Sequence, residues 1–393
     1  MSLTIDGKKY YYFDNAATTF PKTEEVYKAI DDANRNFGVN AGRGQYTLAA
    51  KANKIIKDTT VAMEKLFHCT GNQTCVFTDS ATTALNTIIQ GIELHENCNV
   101  YITPFEHNAV LRTLYAKQKE KSFGIKQLSF NKESCYYNLE KIKSDFTINK
   151  PSVIVMTHAS NTFGFITPIK EIAEIAKEIS SDTTVILDCA QTAGLLDIDF
   201  STGLFDYAVF AGHKTLYGPF GIAGFICKKD TNLKTFIFGG TGIESKNKEM
   251  PIEIPDKFGA GSHNISAFAG LNAALTSINS DEVETNFCKE METRVKLIEV
   301  LKDFSNIKIY GDNTKNAVGI VSCTFDGYSA EEIGSVLDKF NICVRTGLHC
   351  APLGHDLMGT APAGTVRFSI SKFTTDEDLN ALKKALEYIR ENS

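Results

Sequence analysis

The chain has 393 residues, 43% of them hydrophobic and 22% charged, with a formal net charge of -6. That composition is expected of a soluble protein too long for one small core, and its acidic balance gives nucleic acid or an anionic membrane surface no reason to bind. No run of about 18 apolar residues is present to span a bilayer.

Met1-Ser2-Leu3-Thr4-Ile5-Asp6-Gly7-Lys8 lacks a basic stretch ahead of an apolar one, so no secretory leader is expected. The ten cysteines contain no CxxC pair, a usage that suits reduced thiols and a cytoplasmic location. From residue 70 to 230, short apolar runs alternate with helical patterns. Strands are predicted at Thr74-Phe77, Asn99-Thr103, Ser152-Thr157, Thr184-Asp188, Tyr207-Ala211 and Ile222-Cys227. Helices are predicted at Thr82-Leu94, His107-Lys117 and Pro168-Ile179. Such alternation predicts an α/β fold with a mostly parallel sheet covered on both faces, whose ligands collect at the carboxyl ends of the strands.

The mixed-charge run Lys117-Gln118-Lys119-Glu120-Lys121 reads as a solvated helix end. Glycine-rich text follows at Gly239-Gly240-Thr241-Gly242 and Gly259-Ala260-Gly261-Ser262. Next come a helical pattern from Ile265 to Ser277 and an amphipathic helix from Val283 to Phe304. Strands near Ile307-Tyr310 and Gly319-Phe325, a helix at Ala330-Phe340 and a closing helix from Thr375 complete the chain. This tail predicts a smaller α+β domain. The expected division is a large domain over 16-262 and a small one built from 1-15 and 263-393, with a boundary helix near 263-280. No internal repeat stands out.

Chemistry is concentrated at two strand ends. Lys214 lies in the small-residue loop Gly212-His213-Lys214-Thr215 after an apolar run, a setting that suits a Schiff base with an aldehyde cofactor. Asp188 closes the earlier run Val185-Ile186-Leu187-Asp188 and suits a partner for a protonated pyridine nitrogen. An isolated aspartate there is equally well a helix cap; the lysine favours the pyridine reading. Together they point to pyridoxal 5'-phosphate. Ser80-Ala81-Thr82-Thr83, between a strand and a helix, is a generic capping sequence that doubles as a phosphate cup.

Nine short motifs then occur in one order: Phe13-Asp14-Asn15-Ala16-Ala17-Thr18-Thr19, Gly42-Arg43-Gly44, Glu106-His107-Asn108-Ala109, Ser160-Asn161-Thr162-Phe163-Gly164, Asp188-Cys189-Ala190-Gln191, Gly212-His213-Lys214, Phe258-Gly259-Ala260-Gly261-Ser262, Arg345-Thr346-Gly347-Leu348-His349-Cys350-Ala351 and Thr365-Val366-Arg367. In this order the chain resembles the class V aminotransferases of PLP fold type I, and within them the cysteine desulfurase and selenocysteine lyase branch.

The resemblance implies roles position by position. Lys214 would hold the cofactor and move the substrate Cα proton. Asp188 would pair with the pyridine nitrogen, Gln191 with the phenolic oxygen, and His107 would stack on the ring. Ala81, Thr82 and His213 would contact the phosphate, and Gly261 and Ser262 would reach the phosphate of the other subunit of a homodimer. Asn161 and Arg367 would hold the substrate carboxylate, with Ala16 and Arg345 nearby; the planar guanidinium suits this by forming two parallel hydrogen bonds.

Cys350 would attack the substrate sulfur and carry a persulfide. Most cysteines are small buried hydrophobes, and the other nine read so. Cys350 instead sits in a Gly/His loop beside His349 and five residues from Arg345. A His349/Cys350/His355 metal site is the competing reading, and it lacks a fourth ligand. Only 17 residues separate Cys350 from Arg367, which resembles the short-loop, type II group. That group implies a pocketed persulfide discharged by a sulfur-acceptor protein or a reductant. Iron–sulfur clusters, thiolated RNA and selenium metabolism are the outlets such sulfur serves.

Four positions depart from the family pattern. Ala211 stands where relatives carry Ser or Thr, Thr83 replaces an acidic residue, Leu348 replaces a histidine, and Thr215 is one residue extra. The expected function is a PLP-dependent desulfuration of L-cysteine to L-alanine. L-selenocysteine is the neighbouring substrate. A class V transaminase, lyase or epimerase with an incidental Cys350, and a PLP-binding module without turnover, are the other readings.

Overall fold

The structure is a computed structural model describing residues 3–42, 44, 46–243, 246–278 and 280–392. Arg43 of the Gly42-Arg43-Gly44 motif lies outside the described residues. The central sheet has seven strands, in the order Gln73–Thr78, Ala223–Lys228, Tyr207–Ala211, Thr184–Asp188, Val153–Thr157, Asn99–Ile102 and Gly124–Gln127. Only Ala223–Lys228 opposes its neighbours; the other adjacent pairs are parallel. The α/β expectation and its strands are met to within a residue or two. The edge strand Gly124–Gln127 was not predicted, since Gly-Ile-Lys-Gln is neither apolar nor alternating and is only partly buried.

Val153–Thr157 and Tyr207–Ala211 are buried at every position and Thr184–Asp188 at all but its first, as expected where helices cover both faces. One face packs Ile154, Met156, Val185, Leu187, Ala208 and Phe210; the other packs Val155, Ile186, Val209 and Phe225. The alternation comes from the period-two geometry of strands.

Lys117 corrects the reading of its segment as a solvated face. Its amine turns inward and donates to the carbonyls of Ile89, Gln90 and Ile92 at the end of the helix Ala81–Gly91. A cation there satisfies orphan carbonyls and opposes the negative end of the helix dipole. Burial holds this amine at about 8, below the ordinary lysine value.

The tail builds a four-stranded antiparallel sheet, ordered Ile307–Tyr310, Ile320–Phe325, Thr365–Ser369, Arg345–Gly347. The closing helix Asp376–Glu391 starts at a capping box formed by Thr375 and Asp378 and packs Leu382 and Leu386 against Phe368, Val321 and Phe13. Phe13 is there because strand Lys8–Tyr12 pairs with Ile342–Cys343. The helix Ile265–Leu275 instead buries Phe268 and Leu271 in the core of the large sheet. We propose a division into a large and a small domain, with residues 1–15 in the small one and this helix packed on the large side of the boundary.

Candidate active site

Parallel strands that end together bring their last residues together. Thr157 lies opposite Asp188 in register, and Asp188 opposite Val209. Beyond these ends opens a cavity of about 210 Å³, lined by Ala81, Thr82, His107, Asn161, Asp188, Gln191, Ala211, His213 and Lys214 among others. Residues spread over more than 130 positions of chain thus meet in one place.

Asp188 accepts from the Ala190 backbone through Oδ1 at 3.0 Å, and its Oδ2 has no hydrogen-bond partner among the described residues. Burial is the main cause that lowers the Lys214 amine below the ordinary lysine range; Asp188 opposes this, while Arg367 and Arg345 add to it. His107 caps the helix Asn108–Glu120, its Nδ1 accepting from Ala109 N at 3.0 Å, so the proton of the neutral ring belongs on Nε2. Burial and then Lys214 lower its affinity for a second proton.

Ser80 caps the helix Ala81–Gly91 by accepting from Thr83 N. The first-turn N–H groups of Ala81 and Thr82 have no intrahelical acceptor and line the cavity. His213 lies opposite, stacked on Phe220 at 4.4 Å between centroids. Its Nδ1 is buried without a partner, and burial, then Lys214 and Lys22, pull its pKa down to about 3. Gln191 is buried, its Nε2 donating to Ala16 O at 2.8 Å; Ala16 stands behind Gln191 rather than on the cavity wall.

The sulfur side is built from the small sheet. Cys350 is exposed in a turn where His349 and Cys350 both take left-handed backbone angles, φ 47° and 59°. Such angles are uncommon for residues with a Cβ. Two hydrogen bonds hold the turn on the cavity and a third holds it to the small sheet. Asn108 N donates to Cys350 O at 2.8 Å, Asn161 Nδ2 to His349 O at 2.7 Å, and the His349 ring meets Thr365 Oγ1 at 3.1 Å. His349 is held neutral, its pKa brought to about 2 by burial and then by Arg367. No group of three His, Cys, Asp or Glu converges as a metal site among the described residues.

Arg367 is buried. Its Nη1 donates to Asn161 O at 2.8 Å and its Nη2 to Asp14 Oδ1 at 2.8 Å, while Nε is buried without a partner. Arg345 holds the same Asp14 through Nε and Nη2. The sequence reading quoted Asp14 in a motif and gave it no role. It also passed over Glu106, whose carboxylate accepts from the N–H and hydroxyl of both Thr103 and Thr157. A charged residue directly before His107 was the available signal.

Gly261 and Ser262 do not reach this cavity. They line a neighbouring one of about 380 Å³ with Asp79, Thr83 and His263, where Ser262 Oγ accepts from Asn40 at 3.1 Å. Of the departures, Ala211 lies on the cavity wall, Leu348 is exposed, and Thr215 donates to Ala193 O at 2.8 Å.

The sequence pattern of the family Aminotransferase class-V matches residues 11–382, and the chain belongs to that family. A protein of Halalkalibacterium halodurans named "probable cysteine desulfurase" is 30% identical over 398 residues, covering 98% of this chain and 95% of its own. The cysteine desulfurase of Haloferax volcanii is 27% identical over 394 residues, covering 98% and 91%. Among solved structures, the apo cysteine desulfurase from Thermococcus onnurineus NA1 aligns with a TM-score of 0.89 at 23% identity over 98% and 95% of the two chains. The fold is therefore PLP fold type I, and members of this family are pyridoxal phosphate enzymes.

The cavity fits that cofactor. The second carboxylate oxygen of Asp188 and the first-turn N–H groups of Ala81 and Thr82, all on the cavity wall, answer to a ring nitrogen and a phosphate.

Proposed function

We propose that the chain is a PLP-dependent cysteine desulfurase that converts L-cysteine to L-alanine and leaves the sulfur on Cys350 as a persulfide. The observation that carries this is the Cys350 turn, tied by the Asn108–Cys350 and Asn161–His349 bonds to the mouth of the Lys214 cavity. Of the other nine cysteines, expected to be buried, six are, while Cys69 and Cys343 are half-buried and Cys288 is exposed; what sets the exposed Cys350 apart is its attachment to the cavity mouth.

Bound pyridoxal phosphate supplies an electron sink for charge developing at the substrate Cα. Asp188 would hold the ring nitrogen, Ala81 N, Thr82 N and His213 would hold the phosphate, and Gln191 would serve the phenolic oxygen. Lys214, kept partly as free amine by burial, takes the Cα proton on Nζ and returns one. His107, neutral with its proton on Nε2, would support the ring and could donate that proton. Arg367, with Asn161 and Arg345, receives the substrate carboxylate. The Cys350 sulfur then bonds to the substrate Sγ as the substrate Cβ–Sγ bond breaks. The electron pair left on Cβ takes up a proton, so cysteine plus thiol gives alanine plus persulfide with atoms balanced.

Gly261 and Ser262, absent from their own chain's cavity, act on the phosphate of the other subunit of a homodimer. The exposed Phe220, Phe238 and Ile252 provide apolar surface for that contact. The persulfide passes to an acceptor protein or reductant. The thiols of the described cysteines are all free and no helix among the described residues is long and apolar enough to cross a membrane; both suit a cytoplasmic enzyme. L-selenocysteine fits the same pocket.

Cys350→Ala is the test. The variant is expected to bind the cofactor with unchanged absorbance and to lose L-cysteine-dependent persulfide and alanine formation by a hundredfold or more. Sulfide and alanine production equal to wild type would reject a role for Cys350.

A further inference from the structure

We infer that Phe220 is a positioning residue for the cofactor phosphate: it holds the imidazole of His213 in the orientation from which a neutral ring can donate to that group. The two residues share one loop. Strands Tyr207–Ala211 and Ala223–Lys228 are antiparallel, with Ala211 directly opposite Ala223, so residues 212–222 must leave the sheet and return beside their own start. Gly212 N donates to Ile222 O at 3.0 Å and Gly218 N to Gly212 O at 2.7 Å, which closes the loop at its base. His213 and Lys214 lie on the outgoing arm and Phe220 on the returning one, followed by the left-handed Gly221 at φ 78°.

The backbone of His213 is fixed from the N-terminal segment. Its carbonyl accepts from Thr19 N at 3.0 Å, Thr18 Oγ1 at 2.9 Å and Lys22 Nζ at 2.9 Å. Those bonds leave the side-chain torsions free. The ring itself makes no hydrogen bond among the described residues, and its Nδ1 is buried without a partner. Its ring contact is Phe220, with centroids 4.4 Å apart and planes inclined by 24°. Phe220 is 64% exposed. An exposed phenylalanine is ordinary in itself; this one lies flat on an imidazole that lines the cavity.

Orientation matters because of the charge state. Burial, then Lys214 and Lys22, keep this imidazole neutral, so it carries a single N–H. With Nδ1 closed off, Nε2 is the nitrogen left for a phosphate oxygen to meet. A cation attracts an anion from any angle, whereas a neutral N–H must point at its acceptor, and such bonds weaken steeply below about 120°. A stacked ring keeps its plane, because tilting out of it gives up the contact with Phe220. Leucine at 220 would retain apolar bulk and offer no flat face to hold that plane.

This inference rests on the proposed place of His213 at the phosphate. Wild type, Phe220→Leu, Phe220→Tyr, His213→Gln and the His213→Gln/Phe220→Leu double variant are freed of cofactor and titrated by absorbance. The two ligands are pyridoxal 5'-phosphate and pyridoxal, which lacks the phosphate. Phe220→Leu is expected to weaken pyridoxal phosphate about three- to tenfold and pyridoxal less than twofold. Phe220→Tyr keeps a flat ring and is expected to stay within twofold of wild type for both. In the His213→Gln background the leucine change should cost less than a further twofold. Equal weakening of both ligands overturns the inference. So does an undiminished loss in the His213→Gln background, which would route the effect through the subunit contact instead of the imidazole. Should Phe220→Leu not fold by circular dichroism, Phe220→Met makes the same comparison. A His213→Gln variant that binds pyridoxal phosphate as wild type does removes the proposed role of His213, and the inference with it. A His213→Gln variant that loses pyridoxal phosphate selectively, beside a Phe220→Leu variant that loses nothing, refutes the inference alone.

Discussion

The floor of the site and its sulfur-bearing rim are held by different means. On the floor, Asp188 ends a buried strand and Lys214 follows another, so their positions are set by a seven-stranded sheet whose three central strands are almost wholly buried. At the rim, Cys350 is exposed in a turn of two left-handed residues, attached to the floor by two hydrogen bonds, from Asn108 and Asn161. A net hydrogen bond is worth only about 0.5–1.5 kcal/mol. The floor is therefore the rigid partner, and the rim is the part a small change can displace. Cofactor uptake and sulfur transfer should accordingly be separable.

The largest effect is expected on the floor. Lys214→Ala removes the group proposed to move the Cα proton, and general-base loss typically costs 10²–10⁴-fold. Turnover of L-cysteine should fall by about that factor while the far-ultraviolet circular dichroism stays that of the folded protein. Alanine formation at a rate close to wild type would show that the proton is handled elsewhere.

Gly364→Ala attacks the rim alone. Gly364 has φ 76°, and a Cβ there would lie 2.4 Å from the carbonyl carbon of Gly347, in the strand that leads to Cys350. Left-handed strain alone costs about 1–2 kcal/mol, and the clash adds to it. The variant is expected to melt several degrees lower and to lose sulfur transfer tenfold or more, with cofactor absorbance retained. Equal losses of cofactor and sulfur transfer would join the two regions into one cooperative unit.

Glu106 tests how the floor is braced. Burial raises its pKa to about 7 against four favourable hydrogen bonds from Thr103 and Thr157. With the folded pKa above the unfolded one, the folded protein holds more protons between about pH 4.5 and 7. The stability from this group is thus fully present below about pH 4.5 and is lost as pH rises through about 7. Glu106→Gln cannot ionise, so its stability relative to wild type should improve as pH rises from 5 to 8, by up to about 3 kcal/mol. Denaturant melts of both proteins across that range check the sign, and a difference independent of pH would place the titration on other groups.

The same contrast explains what could be seen in the sequence. Strands such as Thr184–Asp188 were legible because burial on both faces writes itself as a continuous apolar run. The edge strand Gly124–Gln127 carries no such signature. Lys214 and Asp188 were legible because each ends an apolar run in a recognisable local text. Asp14 was not, because its partners Arg345 and Arg367 lie 331 and 353 positions away and nothing beside it requires a guanidinium. Lys117 misled for a related reason: a lysine among charged neighbours looks solvated, and only the tertiary fold brings the carbonyls of Ile89, Gln90 and Ile92 within reach of its amine.

The smallest expected effect sharpens the comparison from the floor side. Ala211 closes strand Tyr207–Ala211 and lines the cavity beside His213, where the family resemblance implies a hydroxyl. The proposed phosphate cup otherwise rests on helix N–H groups and one neutral imidazole. Ala211→Ser adds a donor at a site already shaped by the sheet, with no new backbone demand. A single added hydrogen bond of about 0.5–1.5 kcal/mol should tighten pyridoxal phosphate binding about two- to tenfold, read by slower cofactor loss on dialysis. Because the change touches only the floor, kcat for sulfur transfer should stay within about twofold of wild type. A gain in turnover to match the gain in affinity would mean that the cofactor's hold, and not the Cys350 turn, limits the enzyme.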